Sequence, residues 1–282
     1  MDNQSTTSPV VDQYAVFGNP IAHSKSPRIH SEFAIQTGQQ LQYTRQLVAE
    51  DKFAEAAREF FNNGGRGLNI TVPFKLDAYS FADQLTARAE CAGAVNTLAV
   101  QADGSILGDN TDGCGMVSDI TERLGWSIRN KRVLILGAGG AVRGVLQPLL
   151  LQQPTQVVIA NRTLTKAIEL VRRFKSIGPV KACAFNDLSG QQFDMVINGT
   201  SASLSGQLPP LPDNLLSVDA ACYDMMYGAE PTVFLQWATT HGCKHSADGL
   251  GMLVGQAAES FALWRGVKPD VEPVIAQLRS EI

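Results

Sequence analysis

The stretch that decides the fold is residues 131–144, which read KRVLILGAGGAVRG. A short apolar run ends in a glycine-rich turn, and a helix-like segment follows through Leu151. A G-x-G-x-x loop indicates dinucleotide binding when it follows a strand and opens a helix, because the pyrophosphate can then approach the free N–H groups at the helix start. The third fingerprint position is Val142, where glycine or alanine is usual. The stretch therefore predicts a Rossmann-like nucleotide-binding unit.

The end of the next predicted strand, 156–160, indicates which dinucleotide binds. Asn161 lies 22 residues after Gly139, where an NAD enzyme has an acidic residue for the ribose 2′-hydroxyl. The position carries no negative charge, and Arg162 follows it. A carboxylate would repel a 2′-phosphate, whereas a guanidinium binds it with two hydrogen bonds, so the pattern favours NADP. The alternative is that Asn161 and Thr163 only form a turn and cap a helix.

Composition limits the class of protein. The 282 residues suggest one large or two ordinary domains, and 44% hydrophobic with 18% charged residues fits a globular chain with a large core. A net charge of −4 gives no reason to expect nucleic acid or a membrane as a partner. The five cysteines form no C-x-x-C pair and predict reduced thiols in a cytoplasmic protein. We expect neither a signal peptide nor a membrane span.

The remaining elements follow from apolar periodicity and from glycine and proline positions. In the second half of the chain strands alternate with helices, which predicts a parallel sheet. Predicted strands are 14–18, 41–48, 67–71, 94–100, 132–136, 156–160, 180–185, 193–198 and 218–223, and predicted helices are 28–37, 51–61, 83–91, 115–124, 140–151, 163–174, 232–240, 252–264 and 271–282.

Several polar residues stand where they could bind a ligand. Ser24 and Ser26 offer two hydroxyls to an anion at a helix start, although Ser26 as a simple N-cap is the alternative that these residues alone favour. Lys75 lies in the first turn of a helix, where a cation gains nothing from the helix dipole, so it indicates function unless it is merely solvated. Asp112 could equally cap a helix, and Gln256 lies off an apolar stripe and could reach a polar ligand.

Taken together, these segments resemble the shikimate dehydrogenase family, in the family's order and over nearly the whole chain. The matching stretches are FGNPIAHSKSP at 17–27, NITVPFK at 69–75, GAVNT at 93–97, GDNTDG at 108–113, GAGGA at 137–141, NRT at 161–163, YDM at 223–225 and DGLGMLV at 248–254.

The resemblance implies an α/β chain of two domains with a cleft between them. Residues 1–113 and 249–282 would form an α/β substrate domain, and 114–248 a doubly wound, Rossmann-like NADP domain. The implied activity is the reversible NADPH-dependent reduction of 3-dehydroshikimate to shikimate, in chorismate and aromatic amino acid biosynthesis.

The resemblance also implies roles for the substrate-side residues. Ser24 and Ser26 would bind the substrate carboxylate. Lys75 would be the general acid and base, and would hold the reacting hydroxyl together with Asp112. The residues implied around the ring are Asn69, Thr71, Asn96, Tyr227 and Gln256.

The cofactor-side residues implied by the resemblance form three groups. Met225 and Gly249 would lie by the nicotinamide. Lys166 stands where the family often has arginine, and this departure weakens the NADP preference slightly because lysine cannot bind bidentately. The pyrophosphate would be held by Gly137, Ala138, Gly139, Gly140 and Ala141, and the 2′-phosphate by Asn161, Arg162, Thr163 and Lys166.

Two alternatives remain beside this reading. A quinate/shikimate dehydrogenase would accept quinate and often NAD. A non-catalytic NADP-sensing protein on the same fold would have no need of Lys75 and Asp112. No metal-ligand spacing occurs among the four histidines, so no metal is expected. Shikimate or 3-dehydroshikimate is the expected small-molecule partner, and the chain is expected to be a monomer or a homodimer.

Overall fold

The computed structural model describes residues 11–202 and 206–282, and it contains two six-stranded sheets. The first sheet is mixed and has the order β2-β1-β3-β5-β6-β4, with antiparallel pairing only where β5 joins β3 and β6. A tight turn at residues 101–105 makes the β5–β6 hairpin. The strands of this sheet are β1 (Asp12–Gly18), β2 (Leu41–Leu47), β3 (Gly65–Ile70), β4 (Gln84–Leu85), β5 (Thr97–Val100) and β6 (Ile106–Asp109).

The second sheet is parallel and has the order β12-β11-β10-β7-β8-β9. The strand order reverses between β7 and β10, and in such folds ligands bind beyond the carboxyl ends of the strands at that point. This confirms the doubly wound sheet that the sequence predicts. Its strands are β7 (Arg132–Leu136), β8 (Gln156–Ala160), β9 (Val180–Cys183), β10 (Phe193–Asn198), β11 (Leu216–Asp224) and β12 (His245–Ala247).

Helices cover both faces of the second sheet, which explains the unbroken apolar runs of its strands. On β7, Val133 and Ile135 face one buried cluster, and Leu134 and Leu136 face the other, because successive side chains of a strand point to opposite faces. The helices are α1 (Ser26–Thr37), α2 (Phe53–Asn62), α3 (Lys75–Phe81), α4 (Ala87–Ala92), α5 (Asp112–Ser118), α6 (Gly140–Leu151), α7 (Leu164–Phe174), α8 (Val233–Thr240), α9 (Leu250–Arg265) and α10 (Glu272–Ser280).

Close helix packing joins the two sheets. A Cβ on Gly113 would lie 2.6 Å from the Gly144 carbonyl oxygen of α6, and one on Gly115 would lie 2.4 Å from the Gln256 nitrogen of α9. Glycine is therefore required on both sides of α5. This packing fixes the distance between the start of α5 and the middle of α9.

Three sequence predictions are wrong at helix starts. Ser26 is not an N-cap, because α1 begins at Ser26 and Lys25 holds the cap position. The helix predicted at 83–91 is interrupted by β4, and Thr86 caps the shorter α4 by accepting the Ala89 N–H. The helix predicted at 115–124 begins at Asp112 and becomes a π-helical turn, Asp119–Arg123. Periodicity did not reveal these changes because caps and π turns depend on single contacts rather than on a repeating pattern.

Among the described residues, no helix has the length and apolar character needed to cross a membrane.

Candidate active site

A cavity of about 350 Å³ lies where the loops that follow β1, β3 and β11 and the residue before β5 meet the starts of α5 and α9. Every residue that the sequence analysis assigned to the substrate lines this cavity. The two residues expected to lie beside the nicotinamide line it as well. These are Ser24, Ser26, Asn69, Thr71, Lys75, Asn96, Asp112, Tyr227, Gln256, Met225 and Gly249.

Lys75 and Asp112 form an ion pair in this cavity. The Lys75 Nζ lies 2.5 Å from Asp112 Oδ2, and the side chains are 24% and 11% exposed, so solvent still reaches the amine. Lys75 begins α3 and Asp112 begins α5, yet neither caps its helix. The structure thus disagrees with both alternatives drawn from the residues alone, a solvated lysine and a capping aspartate.

Asn96 orients the Asp112 carboxylate. Its amide oxygen accepts the Thr111 backbone N–H at 2.9 Å, and its Nδ2 donates to Asp112 Oδ1 at 2.8 Å. A backbone N–H can only donate, so the amide oxygen must face Thr111 and the NH₂ group must face Asp112. The carboxylate therefore receives a proton donor on each oxygen, one from Asn96 and one from Lys75.

Asn69 lines the cavity, but its amide is engaged by the protein. Its Oδ1 accepts from the Tyr43 hydroxyl at 2.6 Å and from His30 Nε2 at 3.1 Å. Its Nδ2 donates to Thr97 at 3.2 Å and to Ser260 at 3.0 Å. Four elements are therefore tied to β3 through one side chain.

The histidine behind Asn69 is neutral. Complete burial lowers the pKa of His30 to about 3. Its ring stacks on Tyr43 with centroids 4.3 Å apart. Burial also raises the pKa of Tyr43 well above its usual value, so the phenol remains a hydrogen-bond donor to Asn69.

The sequence analysis missed the residues that support Asn69 and Asn96. Thr97 and Ser260 are buried, and their hydroxyls lie 2.8 Å apart. A polar residue three positions after Ala257, on the apolar stripe of α9, was a usable signal for Ser260. The signal in His30 and Tyr43 was weaker, because the partner Asn69 belongs to a strand distant in sequence.

The serine pair forms a small polar corner of the cavity. Ser24 Oγ lies 3.2 Å from Ser26 Oγ and accepts the Ser26 backbone N–H at 3.3 Å. Arg45 on β2 holds the loop by donating from Nε to the Ser24 carbonyl oxygen at 2.8 Å. Two hydroxyls side by side in this position suit an anion with two oxygens.

A second cavity, of about 820 Å³, lies beyond β7 and contains the glycine loop. Gly137 has a φ of +103°, which favours glycine. Apart from the adjoining residues of the loop and helix themselves, no atom of the described part of the chain lies within 4 Å of a Cβ built on Gly139 or Gly140, so the loop is open in front of the start of α6. Residues of both predicted nucleotide groups line this cavity: Gly137, Ala138, Gly139, Gly140, Ala141, Asn161, Arg162, Thr163 and Lys166.

Val142, which departs from the glycine fingerprint, is accommodated by a glycine elsewhere. Its side chain is fully buried, and a Cβ on Gly199 would lie 2.4 Å from its Cγ2. The room that the fingerprint usually obtains at position 142 is thus supplied by the loop after β10.

The turn after β8 carries two unpaired cations. Arg162 and Lys166 are exposed, and neither has an ion-pair partner within residues 11–202 and 206–282. Asn161 donates to the Thr163 carbonyl oxygen at 2.8 Å, and Thr163 makes no side-chain cap on α7. The turn therefore presents free positive charge, which suits a phosphate group. These features fit a 2′-phosphorylated dinucleotide.

The two cavities adjoin at two points. Thr71 lines the first and Val72 the second, and Met225 and Met226 divide in the same way. A long ligand in the second cavity can thus place one end against the first. Within the described parts of the chain, no group of three or more His, Cys, Asp or Glu side chains could hold a metal ion.

Three models of known protein families match parts of this chain. Residues 16–98 match the model of the shikimate dehydrogenase substrate-binding domain. Residues 119–205 match the shikimate/quinate 5-dehydrogenase model, and residues 249–279 match the shikimate 5′-dehydrogenase C-terminal domain.

Individual relatives cover nearly the whole chain. The shikimate dehydrogenase (NADP(+)) of Cellvibrio japonicus is 66% identical over 273 residues, 97% of this chain and 99% of its own. The crystal structure of an Ael1 enzyme from Pseudomonas putida is 47% identical, with a TM-score of 0.90, and covers 95% of this chain and 98% of its own.

A third relative was crystallised with both ligands. Shikimate 5-dehydrogenase from Thermus thermophilus, in complex with NADP(H) and shikimate, is 29% identical with a TM-score of 0.86 over 96% of this chain and 100% of its own. From the matching domain models and the extent of these identities, the chain belongs to the shikimate dehydrogenase family.

Proposed function

We propose that this protein is an NADP-dependent shikimate dehydrogenase, an oxidoreductase that interconverts 3-dehydroshikimate and shikimate in the shikimate pathway. The observation that carries the proposal is the ion pair of Lys75 and Asp112, 2.5 Å apart in a polar cavity that adjoins a nucleotide-sized one. The curated relatives named as shikimate dehydrogenase (NADP(+)) support it.

Lys75 serves as the general acid and base. When bound, the reduced nicotinamide supplies a hydride to the C3 carbonyl of the substrate. Negative charge develops on the carbonyl oxygen, and the ammonium of Lys75 stabilises that charge and donates the proton. In the reverse direction the neutral amine accepts the proton from the C3 hydroxyl. Asp112 keeps Lys75 oriented and anchors a neighbouring hydroxyl.

The remaining polar residues of the cavity bind and orient the substrate. Ser24 and Ser26 hold its carboxylate with their two hydroxyls. Burial raises the pKa of Tyr227, so its phenol remains a neutral donor. Around the ring we place Asn69, Thr71, Asn96, Tyr227 and Gln256, of which Asn69 and Asn96 act mainly through the bonds that fix their neighbours.

The second cavity holds NADP. The open glycine loop, from Gly137 to Ala141, accepts the pyrophosphate at the start of α6. Arg162 and Lys166 bind the 2′-phosphate, with Asn161 and Thr163 forming the turn that presents them. Met225 and Gly249 lie where the nicotinamide meets the substrate.

Three further parts of the proposal concern the whole chain. Residues 1–113 with 249–282 form the substrate domain, and 114–248 form the NADP domain. The protein acts in the cytoplasm, in agreement with five cysteines that are all free. It is a monomer or a homodimer.

The test is absorbance at the reduced-nicotinamide band with purified protein, offering shikimate and quinate each with NADP and with NAD. We expect fast turnover only with shikimate and NADP, because Arg162 and Lys166 select the 2′-phosphate. Comparable rates with quinate or NAD would support a quinate/shikimate dehydrogenase instead. No reduction in any mixture, together with measurable NADPH binding, would support a sensing protein.

A further inference from the structure

A buried carboxylate outside the substrate cavity belongs to Asp119, the first residue of the π-helical turn. It is 4% exposed and lies seven residues after Asp112 on the same continuous helix. Its Oδ2 accepts the Tyr223 hydroxyl at 2.6 Å, and its Oδ1 accepts from the Arg123 guanidinium. Burying a carboxylate costs folding free energy unless the charge is paired and hydrogen-bonded in this way. A buried carboxylate at this position therefore suggests a specific role.

Asp119 lies against the first turn of α9. A Cβ on Gly251 would be 1.9 Å from Asp119 Oδ1, so glycine is the residue that permits this approach. The N-terminal N–H groups of a helix carry partial positive charge, and the Asp119 carboxylate is close enough to benefit from it. Asp119 and the first turn of α9 are therefore in direct contact at Gly251.

Tyr223 completes the contact. Its phenol donates to Asp119 at 2.6 Å, and Met252 in the first turn of α9 packs against the buried cluster that contains Tyr223. Burial and the neighbouring Asp119 charge raise the pKa of Tyr223 well above its usual value, so the phenol keeps its proton.

The first two turns of α9 line the substrate cavity. Gly249, Met252 and Gln256 all face it, and the backbone of Gln256 packs closely against Gly115 of α5. A shift of the first turn would therefore move the wall of the cavity. Lys75 and Asp112 belong to other elements and would keep their contact.

We propose that Asp119, held in place by Tyr223 and Arg123, is a positioning residue that holds the first turn of α9 against the substrate cavity. This inference rests on the proposed function, because its readout is shikimate turnover. Asp119 is not among the residues that line the substrate cavity. Its contribution is to the affinity for substrate rather than to proton transfer.

The experiment compares Asp119→Asn, Tyr223→Phe and the double variant with the wild type. We expect each single variant to raise the KM for shikimate about tenfold, as for loss of one hydrogen bond to a charged group. We expect kcat to change less than about threefold and its pH profile to stay in place, because Lys75 and Asp112 are untouched. The double variant should cost no more than the larger single effect, because both act through one contact.

The matched control is Asp194→Asn, which removes a half-buried carboxylate remote from α9. Asp194 accepts the Arg132 N–H at 2.8 Å and the Ser217 hydroxyl at 3.0 Å at the opposite end of the second sheet. It should lower the melting temperature without changing the KM. If Asp119→Asn and Tyr223→Phe behave as this control does, the inference is wrong and Asp119 only stabilises the fold.

Two safeguards keep the result decisive. If Asp119→Asn does not fold, Tyr223→Phe alone decides, because it removes only one oxygen and leaves the Arg123 pair intact. Wild-type turnover of shikimate decides the proposed function, whereas the ratio of variant to wild-type KM decides this inference.

Discussion

The two cavities are built in opposite ways. The substrate cavity is made of buried side chains from distant parts of the chain, each hydrogen-bonded to the next, as Asn96 is to Thr111 and Asp112. The nucleotide cavity is made of a contiguous glycine loop and exposed cations that have no ion-pair partner among the described residues. A linked network should respond to one substitution as a unit, whereas separate contacts should respond one at a time.

The largest expected effect is on the hydrogen-bonded residues of the substrate cavity. Lys75→Ala should lower kcat by about 10²–10⁴-fold, the contribution typical of a general acid, with much less change in the KM for shikimate. Steady-state kinetics with shikimate and NADP measures both. Lys52→Ala, at an exposed lysine paired with Glu55, is the matched control and should keep full turnover. A Lys75→Ala variant that keeps most of its turnover would remove Lys75 from the mechanism.

The buried histidine offers the next largest effect. His30 has a pKa of about 3 in the folded protein and about 6.5 unfolded, so the unfolded state binds more protons between these values. Its contribution to stability is therefore complete above pH 6.5 and is lost as the pH falls towards 3. The slope reaches about 1.4 kcal/mol per pH unit within that window.

Urea unfolding at pH 7, 6 and 5 tests this directly. His30→Phe keeps the stacked ring and should show a flatter loss of unfolding free energy over this range than the wild type. His245→Phe, at an exposed histidine, should retain the wild-type slope. Equal slopes for the wild type and His30→Phe would mean that His30 does not titrate as its burial implies.

On the nucleotide side the expected effect is smaller and confined to one ligand. Arg162→Gln should raise the KM for NADP by about 10- to 100-fold, as for a hydrogen bond to a charged group, and leave turnover with NAD unchanged. Arg172→Gln, at an exposed arginine on the following helix α7, is the control. Parallel losses with NADP and NAD would place Arg162 in the structure of the loop rather than at the 2′-phosphate.

The smallest expected effect is a gain. Lys166→Arg should lower the KM for NADP by about two- to fivefold, because a guanidinium can bind a phosphate bidentately and an ammonium cannot. The effect should shrink as salt is added, since the site is exposed. Combined with Arg162→Gln, it should add independently. A strong coupling between the two would contradict the view that this side consists of separate contacts.

The same difference explains what the sequence could predict. The strands of the second sheet, such as β7 and β8, were predicted to the residue because an apolar run and its flanking turn are local signals. The glycine loop and the Asn161 turn were local in the same sense. Ser26 was wrongly predicted as a cap, because its place at a helix start said nothing about which residue the backbone would use.

The hydrogen bonds behind the substrate cavity could not be predicted from local sequence patterns. Asn69 bonds to Ser260, 191 residues away in the chain, and Asn96 bonds to Gln256, 160 residues away. Neither pairing has a spacing or period that a sequence displays. The family resemblance supplied the lining residues, but the hydroxyl and imidazole groups behind them emerged only from the fold.

The most direct test of the account is a double-mutant cycle on the catalytic pair. The kcat for shikimate oxidation with NADP is measured for the wild type, Lys75→Ala, Asp112→Asn and the double variant. If the two residues act as one unit, the double variant loses no more than about the larger single loss. Losses that multiply, or a double variant that retains most of the wild-type kcat, would contradict a proton-transfer pair at the junction of the two cavities.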